Sequence, residues 1–288
     1  MNSTASPLTG QAQPSATADP LRFLLATGAT FVVALGFYAV ADGLACTGLA
    51  AKALLVLGPP LLIYATGAIR YPDRRMEPVL ILETAVLSTF LVDEWALGAG
   101  RPELLVVGRS GVLCYFVLQV SGFVRYQWQR GKPLGVLHSL LGGAVMIAWW
   151  ARPDGLGAVS EEGRYLIMGG PTPWQVQVVY LAWLSNVMLV ESVRLPCMAQ
   201  SAVGGASLTV SMLSGSFLYL RLLTACLGFV GDLIFGYGRP DGASPVARAT
   251  MLPARWRPIL FGPIARWLPR LSLPIMAATG LEVLIFGW

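Results

Sequence analysis

Apolar stretches long enough to cross a lipid bilayer recur along this chain, and several of them contain carboxylate side chains. The 288 residues are 55% hydrophobic and 12% charged, whereas a typical soluble domain has about 25% charged residues. Because one span takes about 20 apolar residues, the chain length predicts an all-α, polytopic transmembrane bundle of about seven or eight spans. An ionisable side chain at membrane depth is costly, so it usually faces a cavity, a partner or a proton path.

The apolar pattern begins at residue 21, and we interpret residues 21–288 as a single transmembrane helical domain. Residues 1–20 are rich in Ser, Thr, Ala, Gln and Pro, which predicts a disordered N-terminal tail. The stretch Ala206–Phe235 is long for one crossing and short for two, so we expect a tilted helix or a helix joined to a re-entrant piece. The predicted spans are Leu21–Ala45, Leu49–Ile69, Pro78–Leu97, Leu104–Arg125, Leu134–Trp150, Trp174–Val193, Ala206–Phe235 and Leu271–Trp288.

Basic residues in the short links predict the orientation. The positive-inside rule makes the face that carries these links cytoplasmic, and the N-terminus with it, in a multi-pass protein of a bacterial cytoplasmic membrane. Residues 239–270 carry six further arginines, which would lie outside if Ala206–Phe235 crosses once. The link residues on the predicted cytoplasmic face are Arg70, Arg74, Arg75, Arg125, Arg130, Lys132 and Arg194.

The composition also excludes several partners and cofactors. No basic run is interleaved with aromatic residues on a soluble surface, so no nucleic-acid partner is expected. His138 is the sole histidine, whereas bis-histidine haem, histidine-rich di-iron and HExxH zinc sites need at least two. The four cysteines lack CxxC spacing, and no phosphate-binding glycine loop occurs. We therefore expect no metal and no cofactor, and we interpret His138 as a structural or interfacial residue.

Glu83 is the first of the acids that the spans enclose. It lies about one and a half turns into the span Pro78–Leu97, too deep to reach water easily, and shares one helical stripe with Phe90 and Glu94. Asp93 and Glu94 are closer to the far end of that span. We expect those two carboxylates at the depth of the lipid headgroups.

The span Trp174–Val193 carries aromatic residues and ends near a carboxylate. Tyr180, Trp183 and Glu191 fall within about a quarter of the helix circumference, and Asn186 lies between them in sequence. Two interpretations remain open. The face is either a functional surface or an aromatic packing face whose Glu191 pairs with Arg194 three residues later.

Asp232 is the strongest single candidate for a functional acid. It lies in the segment Phe229-Val-Gly-Asp-Leu-Ile-Phe235, flanked by apolar residues and by Gly231, which allows another group to approach closely. Arg221 is eleven residues earlier, about 16 Å along a helix, so the two charges cannot pair directly.

A desolvated carboxyl group can keep its proton near neutral pH and act as a general acid. Aromatic rings beside it can stabilise a developing cation. This inventory suits protonation of an isoprenoid alkene or epoxide, with a hydrophobic small molecule as substrate. It equally suits proton-coupled transport. The predicted catalytic residues are Asp232, Glu83 and Glu191, and the predicted substrate-binding residues are Tyr180, Trp183, Asn186, Phe90 and Phe229.

Three short segments, Tyr71-Pro-Asp73-Arg74, Gly204-Gly-Ala-Ser207 and Phe229–Phe235, resemble landmarks of the small integral-membrane terpene cyclases of meroterpenoid pathways. The resemblance implies a seven-helix bundle with catalytic acids inside the spans. It maps Asp232 onto one such acid and Glu83 by position, although Glu83 lacks the preceding Trp of the family motif and this chain has an extra C-terminal segment.

A second pattern, a proline followed by a Gly-x-Ser-like link, resembles the PQ-loop transporters, with Leu195-Pro196-Cys197 in place of the Pro-Gln pair. Three hypotheses follow from the sequence. The chain is a metal-free membrane enzyme acting on an isoprenoid or lipid, a proton-coupled or small-solute transporter, or a non-catalytic subunit with membrane-protein partners. Membrane lipids surround it in all three.

Overall fold

The computed structural model describes residues 20–66, 76–150, 157–159, 165–167, 171–187, 197–237 and 244–286. The fold of these residues is a helical bundle, so the predicted all-α class is confirmed. The predicted N-terminal tail, Glu191 and the segments 71–74 and 195–196 lie outside the described residues.

The helices follow the predicted apolar stretches closely up to the sixth and diverge from them afterwards. A short 3-10 helix, Pro102–Leu104, precedes the fourth, and one small antiparallel hairpin of three-residue strands, β1 Gly157–Val159 and β2 Tyr165–Ile167, follows the fifth. The α-helices within the described ranges are α1 Pro20–Ala45, α2 Leu49–Thr66, α3 Met76–Gly98, α4 Leu105–Gln129, α5 Pro133–Trp150, α6 Trp174–Ser185, α7 Ala199–Leu213, α8 Phe217–Phe235, α9 Pro245–Ala249 and α10 Arg257–Phe286.

The predicted stretch Ala206–Phe235 is two helices joined by a tight link, which replaces both alternatives expected from the sequence. The link is Ser214-Gly-Ser216, where the Ser214 hydroxyl accepts a hydrogen bond from the Ser216 amide at 3.2 Å. The chain reverses there, because Ser207 of α7 bonds Thr224 of α8 at 2.5 Å. The sequence does not reveal this break, because only the three residues Ser214-Gly-Ser216 interrupt the apolar run.

Side-chain contacts fix the direction of each helix in the bundle. Helices α2 to α6 are successively antiparallel, as are α7 and α8, whereas α1 runs parallel to α7. We call the end that holds the first residues of α1, α3, α5, α7 and α10 the basic end, because Arg125, Arg130 and the arginines of 248–270 lie there. The defining contacts are Lys52–Glu94, Asp93–Gly108, Glu83–Tyr115, Val120–Gly143, Gly142–Trp183, Phe31–Gly205 and His138–Ser272.

Within the described ranges, four helices are long and apolar enough to cross a membrane, namely α1, α4 with its preceding 3-10 turn, α5 and α8. Large apolar side chains cover the outside of the bundle. Leu25 and Val33 of α1 are 63% and 71% exposed, and Leu213 at the end of α7 is 82% exposed. Such a surface suits a lipid environment better than water.

Glycines let the helices approach where a large side chain crosses. A Cβ on Gly108 would overlap the Asp93 carboxylate, with the Asp93 Cγ atom at 2.6 Å, whereas a Cβ on Gly122 of the same helix would meet no atom within 4 Å. The fully buried Asp93 side chain therefore occupies the space that an alanine at position 108 needs.

We expect the variant Gly108→Ala to lower the free energy of unfolding by about 1–3 kcal/mol, the usual cost of overpacking. The matched variant Gly122→Ala should be neutral or slightly stabilising, since alanine is about 1 kcal/mol better than glycine within a helix. Thermal unfolding of both proteins in detergent measures the difference. Equal midpoints for the two variants would mean that Asp93 does not pack against Gly108.

Candidate functional site

Glu83 lies in the middle of the bundle, where α3, α4 and α8 meet. Its side chain is 8% exposed, and its Oε1 atom accepts a hydrogen bond from the Tyr115 hydroxyl at 2.6 Å. The buried Cys226 thiol of α8 interacts with the same carboxyl group. The other oxygen, Oε2, is buried and has no hydrogen-bond partner among the described residues. One oxygen is thus held in place while the other is left for a proton.

Aromatic rings from three helices form a cluster that is connected to Glu83 through Tyr115, because Tyr115 interacts electrostatically with Tyr180. Trp183 of α6 is met edge-on by Phe116 and Phe123 of α4 and by Tyr180, with ring centroids 5.7–6.1 Å apart. Tyr180 in turn meets Phe217 of α8 edge-on at 5.6 Å. The predicted pair Tyr180 and Trp183 therefore forms part of one buried aromatic cluster with the residues of α4 and α8.

Arg221 is a buried cation at the border of the aromatic cluster. Its side chain is 8% exposed, its Nη1 atom donates to Ser207 Oγ at 2.6 Å, and its guanidinium carbon lies 5.9 Å from the centre of the Tyr180 ring. Within the described residues no carboxylate pairs with it, and its Nε atom has no acceptor. The sequence analysis considered Arg221 only for its distance from Asp232 and did not predict that its charge is buried in the core.

The other predicted site residues are distributed along the bundle. Phe90 contacts Tyr219, with ring centroids 5.4 Å apart, and Phe229 packs against the small cluster that contains Leu80 and Leu233. Asp232 is half-buried in the last turn of α8. It lies about 9 Å further along that helix than Cys226, the residue that adjoins Glu83. Asp232 and Glu83 thus occupy different depths, with Asp232 closer to the basic end.

Asp93 and Glu94 lie near the end of α3, where neighbouring helices cover them. Asp93 is 0% exposed and interacts electrostatically with Arg109. Glu94 forms an ion pair with Lys52, whose side chain is 1% exposed. The reason is that α2 covers this part of α3, so the acids meet cations from α2 and α4 instead of water. The three residues of the predicted stripe, Glu83, Phe90 and Glu94, therefore have three different sets of neighbours.

His138 belongs to a polar network that the sequence did not predict. Its Nδ1 atom lies 2.6 Å from the Leu134 carbonyl oxygen and its Nε2 atom 2.7 Å from Ser272 Oγ. Asn186 donates to the same Ser272 Oγ at 2.7 Å. The network links α5, α6 and α10 across 134 residues of sequence, and no local pattern could have indicated it.

A cavity of about 450 Å³ adjoins this network at the basic end. Its size and its mixture of apolar walls with a few polar groups are typical of small-molecule sites. The predicted substrate-binding residue Asn186 lies here and not beside Glu83. The lining includes Gln127, Lys132, Leu134, His138, Asn186 and Pro269.

The described residues thus define an α-helical bundle of membrane-protein type with a buried acid, an aromatic cluster and a separate cavity whose walls are mainly apolar. They contain no group of three or more His, Cys, Asp or Glu side chains that could hold a metal ion. Comparisons with protein-family models, curated proteins and solved structures find no match to this chain.

Proposed function

We propose that the chain is a multi-pass integral-membrane protein whose basic end faces the cytoplasm. Two lines of reasoning support this. The outer surface is apolar along helices of spanning length, and the α7–α8 hairpin returns the chain to the basic end before the arginines of residues 239–270. Every arginine-rich link then joins the bundle at the same end, as the positive-inside rule requires. In this arrangement α1 to α8 and α10 cross or enter the membrane, more than the seven or eight spans expected.

We further propose that the protein is a metal-free enzyme acting on an isoprenoid or similar lipid, with Glu83 as the general acid. The observation that carries this is the Glu83 carboxyl group, held by Tyr115 at 2.6 Å, with its Oε2 atom free of any described hydrogen bond. No described cation pairs with it, so it is suited to the neutral, proton-carrying form. The rings of Tyr180 and Trp183, which Tyr115 connects to Glu83, supply electron-rich faces that stabilise a carbocation.

The reaction that fits this site is an acid-initiated isomerisation. The Glu83 proton moves to an alkene carbon of the substrate, or to an epoxide oxygen whose C–O bond then breaks to leave a hydroxyl group. Either step leaves a carbocation on the hydrocarbon. An internal double bond attacks that cation and closes a ring, and loss of a proton from an adjacent carbon forms a new double bond. The proton count is unchanged overall, so the product is an isomer of the substrate. The resemblance to membrane terpene cyclases implies the same chemistry.

Incubation of the purified protein with prenylated phenols and their terminal epoxides tests the proposal. We expect a product of unchanged mass with a new chromatographic retention time, formed without added metal. By NMR, a cyclised alkene has one double bond fewer for each ring closed, whereas a cyclised epoxide has lost the epoxide and gained a hydroxyl group and a ring. Formation of the same product in the presence of EDTA supports proton chemistry. Recovery of every substrate unaltered across isoprenoid chain lengths would argue against the enzyme.

One observation favours a second function, the proton-coupled transport of an anion. Arg221 is buried without a described carboxylate partner, and intramembrane charges of this kind mark ion and substrate pathways. A transporter would move a labelled organic anion into proteoliposomes and leave it chemically unchanged. Replacement of Arg221 by Gln should then abolish uptake, whereas the enzyme hypothesis predicts no flux in the wild-type protein.

A further inference from the structure

The cavity at the basic end contains an acceptor atom, Asn186 Oδ1, that no described residue uses. Asn186 lines the cavity, and its Nδ2 atom lies 3.0 Å from the Ala182 carbonyl oxygen and 2.7 Å from Ser272 Oγ. Because a carbonyl oxygen only accepts, the atom facing Ala182 must be the nitrogen. Both N–H groups of Asn186 are therefore occupied. Its Oδ1 atom receives no hydrogen bond from any described residue.

The rest of the polar network is closed on itself. The Leu134 carbonyl requires a proton on His138 Nδ1, so in the neutral ring Nε2 is an acceptor. The single proton of the Ser272 hydroxyl serves either that nitrogen or the Leu268 carbonyl oxygen 2.7 Å away. Ser272 in turn accepts from Asn186. His138 and Ser272 are 1% and 5% exposed, and neither has a donor left for a ligand. The network thus fixes the Asn186 amide so that its oxygen is the group left for a ligand.

The rest of the lining adds an apolar wall and one cation. Leu134, Val187, Ala265 and Pro269 form apolar walls, and Lys132 supplies the cation. Among the described residues, no carboxylate lines the cavity. A ligand for this site needs a hydrogen-bond donor for the Asn186 oxygen and an apolar body for the walls.

We propose that this cavity binds an apolar molecule that carries a hydroxyl group, such as a long-chain or isoprenoid alcohol. A hydroxyl donates to Asn186 Oδ1 and keeps an oxygen to accept from a donor such as Lys132, while the hydrocarbon chain replaces water along the walls. A hydrocarbon would leave the Asn186 oxygen unsatisfied, and burial of an unpaired acceptor is unfavourable. This site lies apart from Glu83, so the proposed binding of an alcohol does not depend on the proposed chemistry at Glu83.

Photo-crosslinking of the detergent-solubilised protein with a diazirine-bearing dodecanol tests the site. We expect labelled peptides that contain Leu134 or Val187, and competition by dodecanol about tenfold stronger than by dodecane, as one buried hydrogen bond implies. Competition by dodecanoate separates a hydroxyl preference from an anion preference at Lys132. Equal competition by dodecane, stronger competition by dodecanoate, or labelling confined to other peptides would each overturn the proposal.

Two tryptophan variants provide the matched control. Ala265→Trp fills the cavity and leaves the Asn186 network intact, so it should reduce labelling at least tenfold. Leu137→Trp places the same ring on α5 at a side chain that is 48% exposed and is not among those lining the cavity, so labelling should remain. Unchanged labelling in Ala265→Trp would overturn the site. Thermal unfolding of each variant shows whether it is folded. If Ala265→Trp does not fold, the competition series in the wild-type protein tests the site.

Discussion

Replacement of Glu83 by glutamine is expected to abolish formation of the isomerised product, with a fall of about 10²–10⁴-fold in rate, the usual contribution of a general acid. Glutamine keeps the size of the side chain and an oxygen that accepts from the Tyr115 hydroxyl, which now donates at 2.6 Å. It removes the transferable proton and nothing else of that geometry. Product formation by purified variants, measured by chromatography with mass detection, checks the expectation.

Asp232→Asn is the informative comparison, because the sequence and the terpene-cyclase resemblance favour Asp232 whereas the geometry favours Glu83. If Glu83 is the acid, Glu83→Gln is inactive and Asp232→Asn retains measurable turnover. The reverse pattern would assign the acid to Asp232 and remove Glu83 from the mechanism. Full activity in both variants would remove acid catalysis by either side chain.

Tyr115→Phe separates the acid from its support. The variant removes the hydroxyl that holds Glu83 Oε1 and leaves the proton on the carboxyl group. We expect a partial loss of rate, smaller than that of Glu83→Gln. Adding Glu83→Gln to Tyr115→Phe should then lower the rate further. A loss as complete as that of Glu83→Gln would mean that Tyr115 itself donates the proton.

The sequence predicted the helices better than their partners, and the reason is physical. Apolar length is a local property, so α1 to α6 begin within two residues of the predicted spans. The break at Ser214-Gly-Ser216 is local too, but it interrupts the apolar run too briefly to be distinguished from a polar turn inside a longer helix. Residues 257–270 carry prolines and arginines, so the predicted last span begins at Leu271, whereas α10 begins at Arg257 and continues to Phe286.

The sequence does not predict which side chains of different helices contact each other. Glu83 meets Tyr115 after 32 residues and His138 meets Ser272 after 134. Helical periodicity tells which face a side chain occupies but not which helix covers that face. This is why the ion pair between Glu94 and Lys52 was not predicted, and why Asn186 was grouped with Tyr180 although it lines the cavity at the basic end.

The ion pair between Lys52 and Glu94 supports the second large expectation, which concerns stability. Lys52 is 1% exposed and the Glu94 side chain 15%, so loss of one partner leaves a charge buried without compensation. Such a loss typically costs about 3–5 kcal/mol. We expect Lys52→Met to lower the free energy of unfolding by about that amount and Glu94→Gln to lower it comparably.

The double variant and an exposed pair make this test specific. Lys52→Met combined with Glu94→Gln removes both charges, so it should be more stable than Lys52→Met alone, since a buried pair replaced by neutral side chains is often close to neutral. The control is the surface pair Arg101–Glu103, 3.9 Å apart and 66% and 62% exposed, where Arg101→Met should cost no more than about 1 kcal/mol. Denaturant unfolding in detergent, followed by tryptophan fluorescence, measures all four variants. A double variant as unstable as the sum of its single variants would mean that the two side chains stabilise the bundle separately, through their own packing, and that their charges do not interact.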